Sequence, residues 1–163
     1  MRTRESLLTL VQELEGDANE IQRLLIRNRT AWERIQAGAD DPVDWGALGF
    51  TIQTLYSVLE NYFLRVSKLF ENDLPPHRWR SALVEKMGLD IPEVRPAVLS
   101  TDEQVREVRT ILRFRHRLRN LYGEDLDPHK TREVQSVVST FFDRFPVIHA
   151  DFVSKIRSIA SVL

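Results

Sequence analysis

The feature that most restricts this chain is an apolar period of three to four residues that persists from end to end. Leu7, Val11, Leu14, Ala18, Ile21, Leu25, Trp32 and Ile35 form one stripe along a long first helix, with one turn missing at Asn28. Gly38 and Asp40-Asp41-Pro42 end that helix, and Asp44 is placed to cap the next. The second stripe is Leu48, Ile52, Leu55, Leu59, Tyr62, Val66 and Leu69. Pro75 and Pro76 open a short helix through Trp79, Leu83 and Met87, which stops at Gly88. After a loop containing Pro92 and Pro96, Ser100 and Glu103 have capping-box spacing and start a helix carrying Val105, Val108, Leu112, Arg115, Leu118 and Tyr122, ending near Gly123. Asp127-Pro128 caps a last helix with Val134, Val138, Phe141, Phe145, Ile148, Phe152, Ile156 and Ile159. Pro146 interrupts its hydrogen-bond ladder but not its periodicity, so a kink near Phe142 to Phe145 is expected. No strand alternation persists. The expected fold is all-α, a single domain over residues 1–163 built as a bundle of four long helices and a short one.

Composition narrows the function classes. Apolar residues are 42% and charged residues 29% of 163, which suits a filled core and argues against disorder. Net charge is −1, so any nucleic-acid surface has to be a local patch. There are no cysteines, which removes disulfides and thiolate metal sites. The four histidines, His77, His116, His129 and His149, lack ligand-like spacing, and no metal is expected. No apolar run approaches the ~20 residues of a membrane span. The first residues show no signal-peptide core, and a cytoplasmic location is the expectation.

Arginine is concentrated in one place. Arg109, Arg113, Arg115, Arg117 and Arg119 fall within eleven residues that contain no acid, together with His116, and Asn120 and Tyr122 follow. On a continuous helix Arg115 and Tyr122 are about 20° from eclipsed, Arg119 lies between them, and His116 and Asn120 share the adjoining face. Cations at a helix C-terminus complement its dipole and need no function. Two details favour a site. Arg115 is in phase with the apolar stripe, where a charge needs a partner or a role. Five like charges also repel until an anion joins them, and guanidinium groups suit phosphate oxygens.

The stretch from Leu112 through Arg115, Arg119, Asn120, Tyr122 and Gly123 to Asp127 resembles the signature of HepT-like proteins of the HEPN superfamily: Arg, four residues, His, one residue, Tyr, then Gly and a short acidic–leucine turn. Arg115 and Tyr122 match it, and Asn120 stands in the histidine position. The Leu89–Pro96 run and the Leu55 to Phe63 stripe are also similar, and the resemblance covers roughly residues 48–145. Arg109 and His116 satisfy the looser Arg-x6-His spacing used across the superfamily.

The resemblance implies a HEPN-type bundle and a metal-independent endoribonuclease toxin. It further implies a homodimer in which two motifs face one cleft, formed through helices 44–72 and 102–122. Arg115 would stabilise phosphoryl charge, and Arg119, His116 and Arg113 would hold RNA. The family histidine would move a proton, which Asn120 cannot do. Either the chain is a natural pseudo-enzyme or Asn120 is a substitution that permits production of a toxic protein, and the intact remainder of the motif favours the second. The implied partner is an MntA-like nucleotidyltransferase antitoxin that adds AMP to Tyr122. Otherwise Tyr122 ends the helix as a half-buried aromatic against Phe141 or Phe142. No cofactor is implied. Glu60, beside the apolar stripe, is expected to orient Arg115 or Arg119. The alternatives are a non-catalytic dimerisation or binding module partnering a nucleotidyltransferase, and a plain helical adaptor.

Overall fold

The computed structural model describes residues 2–71, 73–121 and 124–163. Among these residues five helices follow one another: α1 Arg4–Gln36, α2 Pro42–Phe70, α3 Trp79–Met87, α4 Asp102–Arg119 and α5 Pro128–Ser161. Among the described residues the one extended pairing is the isolated bridge between Ile91 and Arg95. The chain is therefore an all-α bundle.

The helix starts follow from their caps. Thr3 and Ser6 close a reciprocal capping box on α1. On α2 the cap is Asp41, not Asp44: Asp41 accepts from the Val43 amide, Pro42 occupies the first turn, and the Asp44 carboxylate reaches back to the Asp41 amide. On α4 the cap is Thr101, one residue later than expected. Its hydroxyl accepts from the Gln104 amide, and the Gln104 side chain accepts from the amide of Ser100, the residue before the cap; Glu103 takes no part. Asp127 caps α5 through the amides of His129 and Lys130. α3 starts at Trp79, later than the proline pair suggests, after Arg78 with a left-handed φ of 62° and no side-chain cap. α5 passes Pro146 as one continuous helix.

α1 and α2 pack along their lengths, α5 lies against α1 and α4, and α3 bridges α2 and α4. Tyr56, Tyr62 and Phe63 of α2 meet a core that also holds Phe141, Phe142, Phe145 and Phe152 of α5, all fully buried. Tyr62 and Phe145 are edge-to-face with centroids 5.5 Å apart. The turn missing from the first stripe has a partner: Asn28 donates to Gln135 Oε1 at 2.9 Å and accepts from Gln135 Nε2 at 2.9 Å. It also donates to Thr51 Oγ1 at 3.0 Å, so one buried amide ties α1 to α2 and α5.

Two features position α4. The loop before it wraps the buried guanidinium of Arg95, which pairs with Glu71 and donates to the carbonyls of Lys86, Leu89 and Pro96. At its far end α4 comes close to α2 over Gly49. A Cβ there would meet Leu118 Cδ1 at 3.6 Å and the Phe114 ring at 3.7 Å, ordinary contacts, but would lie 2.7 Å from Cδ1 of Leu126 in the segment after α4, so the glycine makes room for that leucine.

Candidate functional site

Phe114, Ile111 and Leu112 seat the second half of α4 in the core, which turns Arg115, His116 and Arg119 towards the edge shared with α3. There Arg115, His116, Arg119 and Asn120 line a pocket of about 310 Å³ together with Leu112 and with Arg80 of α3. The Arg115 guanidinium stands over the Tyr56 ring at 5.9 Å, and its Nε is buried without a hydrogen-bond partner among the described residues.

Asn120 is the residue at which α4 ends. Its backbone has left the helix (φ −103°, ψ 10°), and its amide Nδ2 donates to the His116 carbonyl at 2.9 Å while lying 3.3 Å from His116 Nε2. Asparagine side chains compete with the helix ladder for backbone groups, and α4 stops at Arg119, earlier than periodicity suggests. Tyr122 and Gly123, with the expected AMP acceptor, lie outside the described residues.

The other arginines separate. Arg113 and Arg117 are exposed and do not line the pocket. Arg109 meets Glu85 of α3 at 3.4 Å, so the acid that the local sequence lacks comes from another helix. Glu60 is buried as expected, but its ion pair is with Arg80, Nε to Oε2 at 3.3 Å, and not with Arg115 or Arg119. The Tyr56 phenol beside it is pushed well above its usual range. Burial is the main cause and the Glu60 carboxylate adds to it, against the opposing charges of Arg115 and Arg80.

Sequence reasoning missed Arg80 and Tyr56. A trace of each was present: His77-Arg78-Trp79-Arg80 interleaves basic and aromatic residues, and Tyr56 and Glu60 are four apart on α2. A larger cavity of about 740 Å³ lies elsewhere, between the 90–96 loop and the end of α5. Of its two arginines, Arg95 is already saturated by carbonyls and Glu71 and Arg2 donates to the Val94 carbonyl, so the smaller basic pocket is the better candidate. Among the described residues no three of His, Asp and Glu gather as metal ligands, and no helix is long and apolar enough to cross a membrane.

A family model described as HepT-like protein matches residues 47–156, and the chain belongs to that family. The match begins inside α2 and leaves α1 outside, although α1 packs against α2 along its length. No curated protein and no solved structure matches the chain. The family is one of toxin-type HEPN proteins, generally of ribonuclease character and associated with toxin–antitoxin systems.

Proposed function

We propose that this chain is the toxin of a HEPN/nucleotidyltransferase toxin–antitoxin pair, a metal-independent endoribonuclease scaffold whose Asn120 holds it in a quiet state. The observation that carries the reading is the pocket that gathers Arg115, His116, Arg119 and Asn120. RNA cleavage by internal attack needs the 2′-hydroxyl deprotonated, the phosphoryl oxygens stabilised and the leaving 5′ oxygen protonated. Arg115 supplies the stabilising charge, with Arg119 beside it. A histidine at 120 supplies the proton transfer, and asparagine there cannot titrate, which costs about 10²–10⁴ in rate. His116 stays available to hold substrate.

A second copy of the chain completes the cleft in this reading. Phe50, 62% exposed on α2, lies in a groove with Ile26, Thr30 and Ala31 of α1, so the choice of α2 and α4 as the contact rests on the motif alone. Light scattering at micromolar concentration should give a dimer, and a stable monomer would count against the shared cleft. Adenylation of Tyr122 by an MntA-like antitoxin would add an anion two residues from Asn120, suited to the same arginines. Production of the Asn120→His chain should arrest growth, and Arg115→Ala in that background should relieve it. Growth that continues normally with Asn120→His argues against the toxin reading.

The second reading is a non-catalytic module that binds a nucleotidyltransferase. What favours it is the engagement of Asn120 with His116, which leaves no titrating group at the family's histidine position.

A further inference from the structure

We propose that Arg80, carried by α3, is a second guanidinium contact for the RNA phosphate in the α4 pocket, and that Glu60 is its positioning residue. The inference rests on the RNA-binding reading of that pocket and adds to it a residue outside the α4 motif.

Arg80 is held from two sides. Its guanidinium lies over the Trp79 ring at 4.3 Å, and its Nε is 3.3 Å from Glu60 Oε2. Glu60 is costly to bury, with its side chain only 9% exposed, and a cation beside it offsets that cost. The pair is nevertheless incomplete. Neither Arg80 Nε nor Glu60 Oε2 makes a directed hydrogen bond, and no hydrogen bond from Arg80 is formed among the described residues. A self-sufficient arginine–carboxylate pair closes as a fork with two parallel bonds. Here the carboxylate sits side-on to Nε and restrains the group, and the side chain lines the pocket opposite Arg115.

The electrostatics lead to the same assignment. Arg80, Arg115 and Arg119 share one small pocket with Glu60 as the carboxylate paired to it. Three cations against one anion repel, and a phosphate between Arg80 and Arg115 relieves that repulsion. It also supplies acceptors to the terminal nitrogens of two guanidinium groups, while Arg80 Nε faces Glu60 at 3.3 Å. The fixed plane of Arg80 over Trp79 pre-orients its fork, so little rotamer freedom is lost on binding. The two arginines come from different helices, and an anion bridging them would therefore clamp α3 to α4.

The test is binding of a short single-stranded RNA of mixed sequence to the full chain, followed by fluorescence anisotropy across a salt series. Each phosphate contact contributes about 0.7 to the slope of log affinity against log salt for single strands. Arg80→Ala and Arg80→Gln should each lower the slope by about 0.7, so that their deficit against the parent shrinks about 2.6-fold between about 50 and 200 mM salt. Arg80→Gln keeps a polar stem for Glu60, and its melting curve shows whether the fold is intact. Arg157, exposed on α5, is the control, and Arg157→Ala should leave the slope unchanged. If Arg115→Ala lowers the slope while a folded Arg80→Gln keeps the parent value, Arg80 is no phosphate contact and the pocket reading survives. If Arg157→Ala costs as much as Arg80→Gln, the effect is general charge, and the assignment falls. If neither Arg115→Ala nor Arg80→Gln changes the slope, RNA does not occupy this pocket and both readings fail together.

Discussion

Gln135→Leu isolates what the buried amide pair contributes to the bundle. In the parent, Asn28 Oδ1 accepts from Gln135 Nε2 at 2.9 Å, and one Asn28 Nδ2 proton goes to Gln135 Oε1 at 2.9 Å. Leucine at 135 removes both bonds while Asn28, 2% exposed, stays buried. The Thr51 contact at 3.0 Å survives and covers the other Nδ2 proton. Asn28 then carries one open acceptor and one open donor, each costing about 1–3 kcal/mol, so a loss of about 3 kcal/mol is expected. For a chain of this length that is a fall of roughly 6–12 °C in melting temperature. Asn28→Leu alone should cost a similar amount, because Gln135 keeps only Ser139 as an acceptor. The double variant replaces both partners with apolar groups and should lose far less than the sum, with a coupling of about 2 kcal/mol. Urea unfolding of the four proteins measures it. Strictly additive losses, within about 0.5 kcal/mol, would refute the claim that the reciprocal amide pair joins α1 to α5.

Other perturbations follow from the same geometry. Tyr62→Phe removes the hydroxyl that sits 2.8 Å from His149 Nδ1; burial holds that phenol in its neutral, donating form, and a loss of about 1–3 kcal/mol should appear in thermal melts, whereas an unchanged melting temperature would make the contact idle. Glu107 has its carboxyl pKa raised, first by burial, with Glu103 adding and Arg144 opposing. The folded state therefore binds its proton more tightly than the unfolded chain, and this contribution to stability is present in acid and lost as pH rises through the folded value. Glu107→Gln should accordingly be more stable than the parent near neutrality and lose that advantage towards about pH 4; a difference that does not vary with pH removes the linkage. In cells carrying the antitoxin, Tyr122→Phe combined with Asn120→His should escape silencing, because the acceptor oxygen is gone, and growth like that of the silenced pair would exclude Tyr122 as the target.

The helices were legible because each buries a stripe at a spacing of three to four residues, and Leu48 to Val66 or Val134 to Ile156 can serve only one side of a bundle. Helix ends depend on single side chains, which periodicity does not weigh. Asp41 and Thr101 outcompete nearby candidates by reaching the right amide, and Asn120 ends α4 by turning its own amide onto His116. The gap at Asn28 was visible, but its partner lies 107 residues away and no local pattern announces it. The pocket divides in the same way. Arg115, His116, Arg119 and Asn120 come together because they share one helix end, whereas Arg113 points elsewhere. Arg80 arrives on another helix, placed by the loop wound around Arg95, and Glu60 faces that arginine instead of the motif.

The most direct test of the account is cleavage of purified RNA by the Asn120→His protein in the presence of a chelator. The account predicts cleavage at least about 100-fold faster than with the Asn120 chain, unaffected by the chelator and abolished by adding Arg115→Ala. An Asn120→His protein that is folded and binds RNA yet leaves it intact would contradict the ribonuclease assignment and leave the binding-module reading in its place.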